Sequence, residues 1–203
     1  MNILLKCSLM LILILTVSCA NIVNPEEKVV FKQQEEIYKL IYKVGNIYSY
    51  GTCFLIDYQS KTYLISAYHV IKDSKNGEII LKDKNDNIIK DIILGSKQYS
   101  DEYDVVIFNV DKLLNEHYIY KTKKSNDIIL KGFPEGKQYK QSNGDIEIYE
   151  TNGEIIEGMS GGVVVDNEGY AIGVITARYA NKKGGLFVDL NSSLENILDK
   201  NKK

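Results

Sequence analysis

The segment Glu157-Gly158-Met159-Ser160-Gly161-Gly162 runs directly into the apolar Val163-Val164-Val165. Glycines on both sides of a serine permit a tight turn with dihedrals that a side chain forbids. The hydroxyl then stands clear and nearby backbone N–H groups converge on one point. Such a point can hold the oxyanion of an acyl-transfer intermediate, each preorganised donor lowering the barrier by about 3 kcal/mol. An ordinary Gly-Ser turn has the same letters, so the chemistry depends on partners elsewhere in the chain.

A serine hydroxyl becomes a useful nucleophile when a base takes its proton, and the chain has two histidines, His69 and His117. His69 ends the run Tyr63-Leu64-Ile65-Ser66-Ala67-Tyr68, where a buried strand gives way to small residues beside a cleft. His117 lies among polar residues in Asn115-Glu116-His117-Tyr118 and reads as solvated. An imidazole base contributes about 10² to 10⁴ in rate when a partner on its other nitrogen fixes the tautomer. Asp104 is the candidate partner, a single acid at the mouth of the apolar strand Val105-Val106-Ile107-Phe108. An acid beside a core strand requires compensation. Asp101 and Glu102 precede the strand in a polar turn and read as solvated. The candidates thus occur in the order His69, Asp104, Ser160.

The elements that position these residues read as short strands. Apolar or alternating runs occur at Tyr38 to Val44, Thr52 to Ile56, Tyr63 to Ile65, Ile79 to Leu81, Ile88 to Leu94 and Val105 to Val110. They continue at Ile128 to Lys131, Ile146 to Tyr149, Val163 to Val165, Ala171 to Thr176 and Leu186 to Leu190. Turn signals at Lys84-Asn85-Asp86-Asn87, Ser142-Asn143-Gly144-Asp145 and Asp166-Asn167-Glu168-Gly169 separate runs at hairpin distances. Ser192-Ser193-Leu194-Glu195 has capping-box spacing and predicts a short C-terminal helix through Ile197-Leu198. The pattern predicts an all-β, antiparallel architecture, and periodicity does not choose between sandwich and barrel.

The leader, residues 1–18, places Lys6 before the apolar run Leu9 to Leu15, which is too short to span a bilayer comfortably. It reads as an export signal and resembles a bacterial lipoprotein signal, in which cleavage precedes a cysteine that receives lipid. Ser18-Cys19 fits that pattern, with Thr16 a departure from the usual aliphatic residue. The expectations are lipid anchoring of an envelope protein at Cys19, or plain secretion. Residues 19–34 are polar and read as a tether, and residues 35–203 as the domain. Within the 203 residues, 25 Lys+Arg balance 27 Asp+Glu, which disfavours basic-patch nucleic-acid binding. Cleavage leaves Cys53 as the one cysteine besides the anchor, so no intrachain disulfide is expected and Cys53 reads as a buried apolar residue.

Five stretches together resemble the landmarks of trypsin/chymotrypsin-like serine peptidases, most closely the bacterial HtrA and V8-like branch. These are Gly51-Thr52-Cys53-Phe54-Leu55-Ile56, Ser66-Ala67-Tyr68-His69-Val70, Asp104-Val105-Val106-Ile107, Gly132-Phe133-Pro134 and Gly158-Met159-Ser160-Gly161-Gly162. The order of the three candidates is also the chymotrypsin-type order. The resemblance covers about Glu35 to Leu190. It implies two perpendicular six-stranded antiparallel barrels with the site between them. His69 and Asp104 would come from the first, and Ser160 from the second. It further implies Ser160 as nucleophile, His69 as base and then acid, Asp104 as orienting acid, and Gly158 and Ser160 as oxyanion donors. Ile175-Thr176-Ala177 would form the edge along which a peptide or protein substrate lies.

Several positions depart from the family. Met159 stands where zymogen-activated relatives have an acid, Val163 where proline is frequent, and Tyr68 where a small residue usually precedes the histidine and where a ring crowds the site. The resemblance places Glu154 near the base of the specificity pocket, where it would favour Lys or Arg; pointing to solvent, it would leave a pocket for small apolar residues. With no metal-ligand cluster or phosphate loop, no cofactor or metal is expected. Two classes of function remain: an exported serine endopeptidase, and a non-catalytic surface lipoprotein that binds peptides or host proteins on the same fold. A thiol peptidase built on Cys53 fits poorly, because that residue lies inside a strand.

Overall fold

The computed structural model describes residues 36–72, 77–110, 118–119, 127–147 and 150–199. The leader, Cys19, the tether and His117 lie outside the described residues. The first half forms β1 (Ile37–Val44), β2 (Ile47–Tyr58), β3 (Lys61–Ala67), β4 (Glu78–Lys82), β5 (Leu94–Ser100) and β6 (Val105–Val110), hydrogen-bonded in the order β4-β1-β2-β3-β6-β5. A two-residue strand, β7 (Tyr118–Ile119), pairs in parallel with Ile56 and Asp57 of β2, beyond the point where the β1 register ends at Ile37↔Phe54. The second half forms β8 (Asp127–Gly132), β9 (Lys140–Glu147), β10 (Glu150–Thr151), β11 (Val163–Asp166), β12 (Ala171–Arg178) and β13 (Gly185–Asp189). These six strands close into a barrel, β10-β13-β12-β11-β8-β9. Both six-stranded antiparallel units implied by the resemblance are present, the first as a curled open sheet and the second as a closed barrel.

The apolar strand runs are continuous because both faces of these strands are covered. On β2, Cys53 and Leu55 point into the first unit, whereas Phe54 and Ile56 join a cluster shared with Val163, Val165 and Val174 of the second. The same alternation holds on β6, where Val106 and Phe108 face inward and Val105 and Ile107 face the other unit. Val164, Ile172, Ile175 and Phe187 fill the second barrel. A middle apolar layer therefore joins the two halves, and the chemistry-bearing segments lie at its edge.

The C-terminal helix α1 (Leu190–Leu194) continues as a π-turn through Asp199, and Leu190, Leu194 and Ile197 enter the middle layer at helical spacing. Its cap is Asp189, whose carboxylate accepts from Ser192 N at 2.9 Å and from Ser192 Oγ at 3.0 Å. The helix thus begins before the Ser192-Glu195 pair read as a capping box, because an acid at the end of β13 already caps it, accepting from the N–H of Ser192.

Two other expectations are corrected. The Ile88–Leu94 run is not a strand: Ile88 makes one isolated bridge to Lys82, and the strand begins at Leu94 and continues through polar residues to Ser100. As the end of the sheet path, β5 has one hydrogen-bonded neighbour, and its outward side chains carry no apolar period. Ser142-Asn143-Gly144-Asp145 is not a turn but the middle of β9, with Leu130↔Ser142 and Ile128↔Gly144 in register. Glycine is needed there for close approach, since a Cβ on Gly144 would come 2.7 Å from the Cα of Gly153.

Candidate active site

β3 ends at Ala67 and passes into a single 3₁₀ turn, Tyr68–Val70, which lifts His69 out of the buried strand. Asp104 immediately precedes β6, paired with β3 through Ala67↔Val105, so the sheet register brings the two loops side by side. Tyr68 N donates to the Asp104 carbonyl oxygen at 2.9 Å, and His69 N donates to Asp104 Oδ1 at 2.8 Å. The other carboxylate oxygen, Oδ2, lies 2.6 Å from His69 Nδ1. One carboxylate thus holds both the backbone and the ring of the same histidine. The geometry requires Asp104 to adopt φ of +52°, a left-handed conformation that Asp tolerates better than most residues. The Nδ1 contact fixes a proton there and leaves Nε2 to accept one.

The loops are tied a second time outside this pair. The Tyr68 ring stacks on Tyr99 of β5, with centroids 4.2 Å apart and planes within 10°. Lys72 lies 5.7 Å from the Tyr68 centroid and pairs with Asp101 at 2.9 Å. Desolvation and the hydrogen bond with Tyr99 push the Tyr68 hydroxyl above its usual range, and Asp101 raises the Lys72 ammonium. The ring at position 68 is therefore engaged with β5.

The serine turn is built by glycines at positive φ, +89° at Gly158 and +83° at Gly161. Ser160 between them is half-buried. Gly161 N donates to the Ile175 carbonyl at 2.7 Å, and Ile175 N to the Gly162 carbonyl at 2.9 Å, fastening the turn to β12. Across the middle layer, Thr52 N donates to the Ser160 carbonyl at 2.8 Å, and Thr52 Oγ1 donates to the Gly158 carbonyl at 2.9 Å. Thr52 Oγ1 also accepts from Phe133 N at 2.9 Å, and Ser66 Oγ donates to the Thr52 carbonyl at 2.7 Å. A Cβ on Gly161 would collide with the Thr52 carbonyl and the Ser66 hydroxyl, so only glycine allows this approach. The turn therefore lies against the end of β3, from which His69 emerges.

Glu135 N donates to the Glu157 carbonyl at 2.5 Å. A trans peptide carries its N–H opposite its C=O, so this bond turns the Gly158 N–H to the other side of the loop. Met159 is wholly buried in the second barrel core, where its sulfur accepts from Ile156 N at 3.4 Å.

The remaining expected residues lie on two sides of this turn. Glu154 pairs with Lys140 of β9 at 2.7 Å, and that contact holds its carboxyl below the usual carboxylate range. Ile175 is buried and its backbone is engaged with Gly161 and Gly162, so β12 becomes accessible at Thr176 and Ala177, both half-buried. Arg178 follows, 3.7 Å from Glu157 of the serine loop. Cys53 is fully buried, and burial pushes its thiol far above the range of a reactive thiolate. Among the described residues, no group of His, Cys, Asp or Glu has the arrangement of a metal site. Sequence reasoning quoted Thr52 and Ser66 only within longer stretches, giving them no role, and passed over Glu135 and Tyr99. Of these, Thr52 carries a readable signal: a hydroxyl inside an apolar strand run beside a glycine.

No protein-family model and no curated protein sequence matches the chain. Solved structures do. The Rv3671c protease from M. tuberculosis in its active form is 19% identical over 81% of this chain and 80% of its own, with a TM-score of 0.66. A serine endoprotease from Yersinia pestis is 18% identical over 81% of this chain and 62% of its own, with a TM-score of 0.66. An HtrA-type protease, AlgW, with a decapeptide, is 18% identical over 79% of this chain and 61% of its own, with a TM-score of 0.63. The chain spans about three-fifths of the length of the last two. Strand order, the two half-molecules and these likenesses agree: the chain has the trypsin-like serine-protease fold.

Proposed function

We propose that the protein is a serine endopeptidase that hydrolyses peptide bonds through an acyl-enzyme on Ser160. The observation that carries this reading is the paired grip of Asp104 on His69, at 2.8 Å to the backbone N–H and 2.6 Å to Nδ1, at the end of the strand against which the Ser160 turn lies, with Thr52 of β2 pinning that turn. His69 Nε2 takes the hydroxyl proton as Ser160 Oγ bonds to the carbonyl carbon of the substrate. The carbonyl π pair moves onto oxygen, and the oxyanion is received by the N–H groups of Gly158 and Ser160. The imidazolium, stabilised by Asp104, returns its proton to the departing nitrogen as the C–N bond breaks. Water then repeats the sequence on the ester, with His69 again as base, and frees the acid product.

The orientation of the Glu157–Gly158 peptide by Glu135 supports the oxyanion role, because preorganised donors act without reorganising during the reaction. A peptide or protein substrate would lie along β12 beyond Ile175. The decapeptide held with AlgW supports that substrate class. We extend the proposal to location: export directed by residues 1–18 and membrane attachment through lipid on Cys19. Its support is the Ser18-Cys19 junction after the apolar run Leu9 to Leu15.

A fluorophosphonate probe tests the chemistry. Covalent labelling of the unaltered protein and none of Ser160→Ala is expected, together with hydrolysis of casein or a mixed peptide library. Absence of both labelling and hydrolysis in the folded, processed protein would overturn the reading. For the anchor, Cys19→Ala should move the protein from the membrane fraction to the soluble one; an unchanged distribution would reject lipid attachment.

A further inference from the structure

The chain carries one arginine against 24 lysines, and that arginine is Arg178, at the end of β12 beyond the serine turn. We propose that Arg178 selects substrates with an acidic side chain about two to four residues before the scissile bond, its guanidinium exchanging Glu157 for the substrate carboxylate. The inference rests on the peptidase reading of Ser160 and names a substrate class for that site.

The open edge of β12 leads to Arg178. The β11–β12 register ends at Val163↔Val174, and Ile175 is then held by Gly161 and Gly162 of the serine turn. Beyond Ile175 that edge has no backbone partner among the described residues, so Thr176, Ala177 and Arg178 offer it to an extended peptide. A strand advances about 3.3 Å per residue, which puts Arg178 about 10 Å past Ile175. A side chain that meets the guanidinium therefore belongs to a residue upstream of the one that is acylated.

The resting contact of Arg178 is replaceable. Its Nη2 lies 3.7 Å from Glu157 Oε2, longer than a hydrogen bond, and the guanidinium makes no other polar contact with the described residues. Water reaches both partners, since the Glu157 side chain is 80% exposed and that of Arg178 47%. Exposed pairs of this kind contribute little. Glu157 is anchored through its backbone, where Glu135 N donates to its carbonyl, whereas a substrate carboxylate arrives free to align with the guanidinium. The planar fork of arginine accepts a carboxylate through two parallel bonds, a geometry that an ammonium lacks.

The surrounding charge has the same sign. The β12–β13 hairpin, residues 178–185, holds Arg178, Lys182 and Lys183 and no acid. Lys182 lies over the ring of Tyr179, 4.2 Å from its centroid, which keeps that cation in the hairpin next to Arg178. Glu154, the other acid of the segment before the serine, is closed on Lys140 at 2.7 Å and does not compete for the guanidinium. An acidic peptide is thus drawn toward the end of β12, and one loosely held carboxylate stands in its way.

The test walks one Glu, or one Gln of the same shape, through the four residues before the cleaved bond of a decapeptide from the mixed library. Cleavage points are mapped by mass spectrometry. At one of the second to fourth positions, the unaltered protein should favour Glu over Gln by about 10-fold in kcat/KM. Arg178→Gln should bring that ratio to about 1 and Arg178→Lys to about 3. Glu157→Gln should raise it, because the competing carboxylate is gone while its shape remains. Salt raised from about 0.02 to about 0.5 M should lower it. A ratio near one at every position, a preference confined to the residue next to the cleaved bond, or a ratio unmoved by Arg178→Gln overturns the proposal. Fluorescent Glu and Gln decapeptides titrated against Ser160→Ala separate the two readings. Glu-selective binding that Arg178→Gln abolishes, without hydrolysis by the unaltered protein, supports the role of Arg178 and sinks the peptidase reading. Hydrolysis without the preference sinks the role of Arg178 alone.

Discussion

Thr52 N donates to the carbonyl oxygen of Ser160 at 2.8 Å, so a strand of the first unit holds the backbone of the candidate nucleophile in the second. The Thr52 hydroxyl adds a bond to Gly158 O and accepts one from Phe133 N. Thr52→Val keeps the shape of the side chain and removes both. Each buried group left without a partner costs about 1–3 kcal/mol, so a loss of about 2–4 kcal/mol is expected in urea unfolding. Turnover should fall further than the folded fraction, because the displaced carbonyl belongs to Gly158, the proposed oxyanion donor. Thr52→Ser should restore most of both. Equal stability of the Val variant and the unaltered protein would show that the clip contributes little.

Asp104→Asn should leave the fold intact, since Asn also tolerates the left-handed backbone that this position adopts. The amide cannot keep His69 in the tautomer that leaves Nε2 free. Turnover should drop by about 10⁴-fold with little change in the thermal midpoint. Near-normal hydrolysis by this variant would remove Asp104 from the mechanism.

Tyr99 stacks on Tyr68, the residue before His69, and on the proposed reading would position that histidine. Aromatic pairs contribute about 0.5–1.5 kcal/mol beyond their burial, and this one ties the 3₁₀ turn to β5. Tyr99→Ala should lower kcat by about 10-fold while leaving KM within about 2-fold, consistent with an energy of that size acting on orientation. Tyr99→Phe keeps the stacking and should recover kcat. A rise in KM with kcat unchanged would instead place Tyr99 in substrate binding.

Acid stability should follow the turn at Asp83–Asn87. Asn87 and neighbouring backbone N–H groups hold the Asp83 carboxyl below its ordinary value of 3.8, and Lys39 does the same for Asp86. A carboxyl whose value is depressed on folding stabilises the protein above the unfolded value, and that contribution is lost as pH falls through the folded one. Denaturant midpoints should therefore be insensitive to these groups from pH 7 to about 5 and decline below about pH 4. The double variant Asp83→Asn/Asp86→Asn should be less stable at pH 7 and show a shallower acid decline. An unchanged acid slope would exclude this turn as a source.

Much of the fold was legible because two-sided burial writes itself as apolar runs. β3, β6 and β11 are paired on both edges, and each was readable from its run of aliphatic and aromatic residues. β5 was not, because at the end of the sheet path its polar side chains resemble loop sequence. Gly144 was misread for a related reason. Glycine marks close approach as well as turning, and the neighbour it approaches, Gly153, lies across the β9–β10 bend.

At the site, His69 and Asp104 were foreseeable from their positions at strand ends. The connection between them and the serine turn was not, because it is made by backbone groups and by Thr52, whose letter carries no hint of its partner. Glu154 shows the converse. Its charge was visible, but the Lys140 that offsets it belongs to another strand.

The Thr52–Ser160 bond also has a consequence during synthesis. A ribosome releases His69 and Asp104 with the first half of the chain, and Ser160 with the second. Until the halves dock, backbone support for Ser160 is missing, so on the proposed reading cutting power would arrive only as the last product of maturation.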